Sequence, residues 1–407
     1  MAGVVVIGGG AGGDAAALTL RQRGCTLPIT LVSEERTLPC ERPLLSKDLM
    51  RGERTEQQVG IRPPDAYERA GVDVRLGVRC VGIDPERRVA HMEDGDDLPY
   101  EWLVLATGST ARRLPGLPDA ANLHTLRSLA DAVALRRELH DGARLLVVGA
   151  GFLGCEVAAS ARIAGCRVTL CDVADGPMLA AIGPVAAAAF ARLHAEHGVD
   201  VRMATGVEEW EVLDSRVTAA RLTDGASIAV DAVLVAVGAE PNLALPRQLG
   251  LAIDSGGVAV DDRLGAGTGI VCVGDIAAVP YALYERRLRV EHWQTAQRHG
   301  EHAAGTIARA SSESFTELPW FWSDQYEFQL TQAGSCDGAD DVVVRGDEQS
   351  SRFSVVYLRR GRVVACIGVN DGVTVRRARR LISDAVEVRG AALADPASDI
   401  RALAATA

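Results

Sequence analysis

A glycine-rich turn near the start of the chain constrains the fold more than any other feature. Residues 4–13 read VVVIGGGAGG, in which an apolar β-branched run enters the pattern G-x-G-x-x-G at Gly8, Gly10 and Gly13. An alanine-rich helix and a second apolar strand follow, and this strand ends at Glu34 and Glu35. Glycine permits the tight turn and lets a pyrophosphate approach the helix N-terminus, while the acid can accept hydrogen bonds from an adenosine ribose. This order of elements predicts a Rossmann-type dinucleotide-binding unit.

The same unit recurs in the middle of the chain. An apolar strand at residues 144–148 enters Gly149, Gly151 and Gly154, and the helix and strand that follow end at Asp172. A carboxylate at this position binds the two ribose hydroxyls of NAD and repels the 2′-phosphate of NADP, and none of the next three residues is an arginine. NADH is therefore the expected donor, although an aspartate here can also serve only to cap a turn.

Three later segments have the pattern of strands, and the first two are buried strands that end in tight glycine turns. Residues 102–109 read WLVLATGS, residues 231–242 read DAVLVAVGAEPN, and residues 269–277 read GIVCVGDIA. The last segment places Asp275 where ligands of open α/β sheets bind, so that its carboxylate could bind a ribityl hydroxyl. Further apolar strands and a helix from about residue 375 predict a C-terminal α+β domain. The expected fold class is α/β, with two Rossmann-type domains and this third domain.

The composition excludes several classes of protein. With 407 residues, 48% hydrophobic and 24% charged, the chain is long enough for two or three globular domains. The net charge of −11 argues against general nucleic-acid binding, and no apolar run approaches the roughly 20 residues of a membrane helix. The N-terminus leads directly into a strand, and the nine cysteines form an odd, scattered set, so that a cytoplasmic location is expected. The sequence has no cysteine and histidine cluster with zinc spacing, and no metal is expected.

Three separated segments carry a resemblance to one family. Residues 41–47 read ERPLLSK, residues 289–296 read RVEHWQTA, and residues 319–326 read PWFWSDQY. Together with the two glycine loops, they make the sequence resemble the two-dinucleotide-domain FAD flavoprotein reductases, and among them the oxygenase-coupled NADH-dependent ferredoxin reductases. The resemblance spans nearly the whole chain. It implies an enzyme that takes a hydride from NADH and passes single electrons through FAD to a [2Fe-2S] ferredoxin, which feeds a cytochrome P450 or a Rieske dioxygenase.

The resemblance also implies roles for individual residues. Lys47, the only lysine in the chain, would lie near the reactive flavin nitrogen and pair with Glu156, where its cation would favour the anionic reduced flavin. Arg42 would also approach FAD, Trp293 would lie against the flavin, and Trp320 would lie near it. The second glycine loop would serve NAD(H). The first loop, the ATG turn and the GD segment would bind FAD through Gly8, Gly10, Gly13, Glu34, Thr107, Gly108 and Asp275.

Each ligand is expected to bind to its own domain. Residues 1–112 and 240–312 are expected to form the FAD-binding domain, residues 113–239 the inserted NAD(H)-binding domain, and residues 313–407 the C-terminal α+β interface domain. Because ferredoxins are usually acidic and this chain is acidic too, docking requires a local positive field. Eight arginines, with Asp371 as the single acid among them, are expected to supply that field: Arg352, Arg359, Arg360, Arg362, Arg376, Arg377, Arg379 and Arg380.

Cysteine positions separate this interpretation from its alternatives. Disulfide reductases of the superfamily need a C-x-x-x-x-C pair after the first nucleotide unit and a histidine near the C-terminus, but Cys40 stands alone there and the last histidine is His302. Cys166 and Cys171 have that spacing but bracket a predicted strand, which indicates core packing. Cys40 leaves open an NADH oxidase or peroxidase that uses a cysteine sulfenate. A rubredoxin reductase and a non-enzymatic redox-sensing flavoprotein are further alternatives, and turnover with an added iron–sulfur protein would exclude the latter.

Overall fold

The computed structural model contains two parallel sheets, and an inner strand of each sheet leads into one of the two glycine loops. The structure describes residues 2–308, 313–388 and 390–405. Contacts divide the chain into two units. The first unit comprises Met1–Pro43, Thr55–Thr110 and Ala239–Glu317, and the second comprises Leu44–Arg54, Ala111–Gly238 and Leu318–Ala407. The assignment of three domains, with boundaries near residues 112, 240 and 313, remains a prediction.

The described ranges form the following helices and strands. The helices are α1 (Ala11–Gln22), α2 (Asp48–Arg51), α3 (Ala66–Arg69), α4 (Leu129–Glu138), α5 (Phe152–Ile163), α6 (Leu179–Glu196), α7 (Ala244–Gln248), α8 (Trp293–Ile307), α9 (Gly372–Ser383) and α10 (Gly390–Ala394). The strands are β1 (Gly3–Ile7), β2 (Ile29–Ser33), β3 (Val72–Leu76), β4 (Cys80–Asp84), β5 (Val89–Met92), β6 (Asp97–Leu105), β7 (Ser109–Ala111), β8 (Leu123–His124), β9 (Arg144–Val148), β10 (Arg167–Cys171), β11 (Asp200–Arg202), β12 (Val207–Leu213), β13 (Arg216–Leu222), β14 (Ser227–Ala229), β15 (Ala232–Val235), β16 (Ala239–Pro241), β17 (Ile253–Asp254), β18 (Gly257–Ala259), β19 (Gly265–Gly267), β20 (Ile270–Cys272), β21 (Ala277–Tyr281), β22 (Arg286–Arg289), β23 (Trp320–Gln325), β24 (Phe328–Gly334), β25 (Asp341–Gly346), β26 (Phe353–Arg359) and β27 (Arg362–Val369).

The main sheet of the first unit has the order β19-β20-β6-β1-β2-β3, and its pairings from β20 to β3 are parallel. Every residue of β1 is buried, as is typical of strands inside parallel sheets. Helix α1 follows β1 and packs so closely against α8 that a Cβ on Gly300 would overlap the carbonyl oxygen of Gly12. Strands β4 and β5 join the sheet through the antiparallel pair of β5 and β6. A smaller sheet has the order β17-β18-β21-β22.

The second unit contains a parallel sheet with the order β11-β10-β9-β15-β8. Its β9, α5 and β10 repeat the strand, helix and strand order of β1, α1 and β2. The antiparallel strands β12, β13 and β14 close the core of this part, because Val217, Ala220 and Leu222 of β13 join Leu146 and Val148 of β9 in one buried cluster.

The C-terminal part of the second unit is an antiparallel sheet with the order β23-β24-β27-β26-β25. Helix α9 packs on β24 and β27 through one apolar face, which buries Val375, Ala378, Leu381 and Ile382. The expected fold class, α/β with two Rossmann-type parts and a C-terminal α+β part, is confirmed. Within the described ranges, no helix is long and apolar enough to cross a membrane.

Candidate cofactor sites

The first glycine loop joins β1 to α1, and its three glycines are required for different reasons. Gly8 has a φ of +119°, and a Cβ there would overlap the carbonyl oxygen of Ala106. A Cβ on Gly13 would overlap the carbonyl oxygen of Gly8. Gly10 is the N-cap of α1. A Cβ there would meet no atom of the described residues within 4 Å, apart from its neighbours along the chain and the nearby helix backbone. Packing therefore requires the first and third glycines, whereas the second keeps open a space that a phosphate group would fill.

The second glycine loop, between β9 and α5, repeats this arrangement. Gly149 has a φ of +104°, and a Cβ there would overlap the carbonyl oxygen of Ala236. A Cβ on Gly154 would overlap the carbonyl oxygen of Gly149, while the space beside Gly151 is open. The two units therefore form the same phosphate-compatible loop from different sequences, which fits two nucleotide ligands.

The acids that follow the second strands lie differently in the two units. The registers of β1 with β2 and of β9 with β10 make Ser33 the equivalent of Asp172. Glu34, the predicted ribose acid, comes one residue later, and its side chain is 64% exposed. The Asp172 carboxylate accepts hydrogen bonds from the backbone N–H groups of Ala150 at 2.6 Å and Ala174 at 2.8 Å. Asp172 therefore caps the turn after β10 and also ties that turn to the second glycine loop.

Arg42 is held in the first unit by Glu35. Its Nη2 donates to Glu35 Oε1 at 2.6 Å, and both side chains are partly buried. Glu34 and Glu35 both follow β2 in the sequence, and the family resemblance implies Glu34 as the acid that binds FAD. The pairing with Arg42 keeps Glu35 beside Glu34 as a candidate for contact with the ribose. The choice between Glu34 and Glu35 depends on a shift of one residue along the chain.

Thr107, Gly108 and Asp275 are brought to one edge of the first unit's sheet, since β6 and β20 are parallel neighbours. Thr107 Oγ1 donates to the carbonyl oxygen of Asn242 at 2.9 Å, and the N–H of Asn242 donates to the carbonyl oxygen of Gly108 at 2.9 Å. The buried Asp275 accepts a hydrogen bond from Ser109 Oγ at 2.6 Å through Oδ2. The three predicted residues therefore lie on a hydrogen-bonded frame at the edge where ligands of open α/β sheets bind.

The turn that carries Asp275 is fixed from helix α8. The N–H of Gly274 donates to Nδ1 of the buried His299 at 3.2 Å. Burial lowers the pKa of His299 to about 3, so that this nitrogen stays a neutral acceptor. Trp293, predicted to lie against the flavin, is the first residue of the same helix. His299 was missed in the sequence because a single histidine inside a helix belongs to no recognisable motif.

Lys47 and Glu156 form a buried ion pair in the second unit. Lys47 Nζ donates to Glu156 Oε1 at 2.7 Å, and Ser46 Oγ donates to Glu156 Oε2 at 2.5 Å. Ser160 Oγ donates to the carbonyl oxygen of Ser46 at 2.7 Å. Because Glu156 and Ser160 lie one turn apart on α5, this helix holds the segment that carries the lysine. A desolvated cation is thereby kept in one place by its carboxylate partner.

The C-terminal arginines are partly neutralised. Trp320 begins β23, and the guanidinium carbon of Arg379 lies 5.2 Å from its ring centroid, within cation–π distance. Arg376, Arg377 and Arg401 help to line a pocket on α9. Some of these arginines pair with acids, and two of those acids lie beyond the segment counted in the sequence: the pairs are Arg352–Asp371, Arg362–Glu387 and Arg380–Asp384.

The cysteines of the described ranges are free thiols, and those ranges contain no candidate metal site. No disulfide is formed there, and no group of three histidine, cysteine, aspartate or glutamate side chains could hold a metal ion. Cys166 and Cys171 are fully buried, and burial raises the pKa of Cys171 to about 12, as expected for a thiol in the core. Cys40 is buried in the first unit, where its backbone forms a bridge with Gly60.

Two Rossmann-type parts with matching glycine loops, together with an antiparallel C-terminal sheet, define a protein built to hold two nucleotides. The family model of pyridine nucleotide-disulphide oxidoreductases matches residues 2–300, and a model of reductase C-terminal domains matches residues 320–404. The chain belongs to the pyridine nucleotide-disulphide oxidoreductase family.

Relatives of known identity match nearly the whole chain. It is 38% identical to the ferredoxin–NAD(+) reductase component of the anthranilate 1,2-dioxygenase system of Burkholderia cepacia, over 96% of this chain and 97% of that protein. It is 34% identical to putidaredoxin reductase of Pseudomonas putida, over 99% and 97%. A crystal structure of the covalent complex of putidaredoxin reductase with putidaredoxin matches with a TM-score of 0.93 at 34% identity, over 96% of this chain and 95% of that chain. The resemblance to the oxygenase-coupled ferredoxin reductases is confirmed.

Proposed function

We propose that this protein is an FAD-dependent ferredoxin reductase that takes a hydride from NADH and passes single electrons to a [2Fe-2S] ferredoxin. The observation that carries the proposal is the match to ferredoxin reductases across both glycine loops and the C-terminal sheet. The ferredoxin in turn feeds an oxygenase, either a cytochrome P450 or a Rieske dioxygenase. Such an enzyme needs two nucleotide sites and a surface for a protein partner.

The residues of the first unit fit FAD. The space beside Gly10 admits a pyrophosphate at the N-terminus of α1, between the two glycines that packing requires. Thr107, Gly108 and Asp275 lie at the carboxyl edge of the same sheet, and Glu34 follows β2 at that edge. FAD, when bound, supplies the ability to take up two electrons as a hydride and release them singly.

The second unit is assigned to NADH, through Gly149, Gly151, Gly154 and Asp172. The Asp172 carboxylate favours ribose hydroxyls and disfavours a 2′-phosphate, which selects NADH over NADPH. Its hydrogen bond from Ala150 keeps it beside the loop that would hold the pyrophosphate.

Lys47 and Glu156 are assigned to the reacting end of the flavin. Lys47 places a positive charge there and favours the reduced ring, while Glu156 holds the ammonium in position. Arg42, Trp293 and Trp320 are assigned to the surroundings of FAD, as the family resemblance implies.

The ferredoxin is proposed to dock near α9. Arg376 and Arg377 are exposed there and line the pocket with Arg401, which pairs with Asp399, so that the two helix arginines supply a positive patch on an otherwise acidic chain. Such a patch attracts an acidic partner. A cytoplasmic location is part of the proposal, and it is supported by buried cysteines that form no disulfide in the described ranges.

The test is anaerobic reduction with NADH, followed by mixing with candidate [2Fe-2S] ferredoxins. We expect bleaching of the flavin absorbance by one equivalent of NADH and then reoxidation as each of two ferredoxins takes one electron. Cytochrome c serves as an artificial one-electron acceptor that needs no cognate partner. Flavin reduction without electron transfer to any ferredoxin would contradict the proposal and favour a redox-sensing flavoprotein.

Among the residues that the structure describes, no feature favours the NADH oxidase or peroxidase or the rubredoxin reductase. Because the oxidase or peroxidase needs the Cys40 thiol as its redox centre, Cys40→Ser should abolish such an activity but leave ferredoxin reduction by NADH within about twofold of wild type. Cys80→Ser, which places the same hydroxyl at another buried cysteine of the first unit, is the matched control. Loss of most activity in Cys40→Ser alone would favour the oxidase or peroxidase.

A further inference from the structure

A series of buried polar side chains leads from helix α6 to the Glu156 carboxylate within the second unit. His194 Nε2 lies 2.9 Å from Gln325 Oε1, and Gln325 Nε2 donates to Ser323 Oγ at 3.1 Å. Ser323 Oγ donates to Glu156 Oε1 at 2.7 Å. His194, Ser323 and Gln325 are each 0% exposed. Both residues of β23 belong to the PWFWSDQY segment, in which the function proposed above uses only the tryptophan at its second position.

The hydrogen bonds that link this series all run towards Glu156, and the amide nitrogen of Gln325 also donates to Met178 Sδ at 3.6 Å. The carboxylate can only accept, so Ser323 donates its single hydroxyl proton to it and accepts from the amide nitrogen of Gln325. The amide oxygen of Gln325 must then accept from His194, which requires a proton on Nε2 of His194. Burial lowers the pKa of His194 to about 4, in keeping with the neutral ring, and its Nδ1 has no partner among the described residues.

The C-terminal sheet thereby contacts the ion pair directly. Ser323 and Lys47 both donate to Glu156 Oε1, while Ser46 donates to Oε2. Ser46 and Lys47 are neighbours on one segment, so Ser323 is the donor that approaches from a separate element, β23. A donor from a separate, rigid strand restricts the carboxylate to one rotamer and so determines where the lysine ammonium stands.

We propose that Ser323, Gln325 and His194 are positioning residues, which hold the Glu156 carboxylate and, through it, the Lys47 ammonium in the orientation that flavin reduction requires. The role in reduction rests on the proposed function, whereas the hydrogen-bond series does not depend on it.

The first test uses the fact that Lys47 is the only lysine, so that protein labelled with ¹⁵N-lysine has a single side-chain ammonium signal. The signal is recorded on oxidised holoprotein without NADH. We expect Ser323→Ala to shift it and to speed exchange of its protons with water by about tenfold, because one of the carboxylate's fixed donors is lost. Gln325→Leu, which leaves the serine in place without its partner, should act in the same direction, and Ser323→Thr should retain the wild-type signal.

The matched control is Ser354→Ala on β26 of the same sheet. Ser354 is also 0% exposed and donates to a different carboxylate, Asp371, at 2.7 Å. The control should leave the lysine signal unchanged. A wild-type signal in both Ser323→Ala and Gln325→Leu would overturn the proposal, and so would an equal change in Ser354→Ala.

The second test is a double-mutant cycle on the rate of flavin reduction by NADH, with FAD content and melting temperature measured for each variant. Ser323→Ala should slow reduction by about tenfold in the wild-type background and by less than about twofold when Glu156 is already replaced by glutamine, because its effect passes through that carboxylate. Equal slowing in both backgrounds would show a merely structural role and overturn the proposal. Failure of the proposed function looks different, since wild-type protein would then fail to reduce its own FAD with NADH.

Discussion

At the scale of a single residue, Asp172 combines an observed structural role with a proposed role in nucleotide selection, and substitution can separate the two. Its charge faces the place of the nucleotide ribose in the proposed function, and its two oxygens hold the N–H groups of Ala150 and Ala174. The substitution Asp172→Asn would keep the shape of the side chain and one acceptor but lose the charge, whereas Asp172→Ala would lose both hydrogen bonds.

We therefore expect Asp172→Asn to raise the KM for NADH by about tenfold and to improve the use of NADPH relative to NADH, because the repulsion of a 2′-phosphate is gone. Asp172→Ala should raise the KM for both nucleotides, since the glycine loop also loses its support. Steady-state kinetics with ferricyanide as acceptor measure both effects. An unchanged ratio of NADPH to NADH use in both variants would show that this aspartate only caps the turn.

Lys47→Arg is expected to retain FAD but to slow flavin reduction by about tenfold or more, because a planar guanidinium cannot take the place of a compact ammonium in a buried site. Stopped-flow bleaching of the flavin by NADH gives the rate. Arg51→Lys, which exchanges the same two residue types on the neighbouring helix α2, should reduce its flavin at the wild-type rate. Bleaching of Lys47→Arg at the wild-type rate would remove Lys47 from the chemistry.

Single residues also show the limits of the sequence. Lys47 was recognisable because it is the only lysine and lies in a family segment. The sequence did not show which of Ser33, Glu34 and Glu35 would contact the ribose, because this depends on strand register and on the pairing of Glu35 with Arg42. Ser323 could not be linked to Glu156 from the sequence, since the two side chains meet only through tertiary packing.

At the scale of elements, the two glycine loops were the most predictable part of the fold. A positive φ and backbone overlap at the place of a Cβ restrict Gly8 and Gly149 to glycine, so that the backbone requirement is visible directly in the sequence. The resemblance implied the pairing of Lys47 with Glu156, but the placement of the whole segment Leu44–Arg54 in the second unit was not visible, because it also depends on contacts such as that of Ser46 with α5.

The loops lead to a prediction that separates folding from binding. Gly151→Ala should fold with a melting temperature near wild type, because the space at its Cβ is open, but should raise the KM for NADH by about tenfold or more as the methyl group meets the pyrophosphate. Gly10→Ala should likewise fold and lose FAD. Gly154→Ala, whose methyl group would overlap the backbone, should instead lower the melting temperature by several degrees.

Melting temperature, FAD content and KM for NADH measured on the three proteins check this prediction. A large loss of stability in Gly151→Ala, or normal NADH binding with a full complement of FAD in both open-site variants, would contradict the assignment of these spaces to phosphates.

At the scale of the whole molecule, the net charge of −11 opposes the approach of an acidic ferredoxin, and the arginines of α9 offset this locally. The sequence count of eight arginines overstated this field, because Glu387 and Asp384 lie beyond the counted segment and pair with two of them. Arg376 and Arg377 remain as exposed positive charge on the pocket.

Replacing Arg376 and Arg377 together by glutamate should lower the rate of ferredoxin reduction by about tenfold at low salt and leave ferricyanide reduction unchanged. The difference should shrink as salt is added, since the Debye length is about 10 Å at 0.1 M. Glutamate at Arg69 and Arg87, exposed in the first unit, changes the net charge equally and is the control. Equal ferredoxin rates in the two double variants would place the docking surface elsewhere.

The buried position of Lys47 also determines how the chain can be cut. A protease that cleaves only after lysine has one possible site, the bond to Asp48, and Lys47 is buried in the folded protein. Cleavage requires that bond to enter an extended conformation in a protease cleft, so that it can proceed only when the segment Leu44–Arg54 leaves its place beside α5. The rate at which two fragments appear would therefore report the opening of this segment. When the protease is so dilute that the segment closes faster than it is cut, this rate gives the equilibrium population of the open state without any added label.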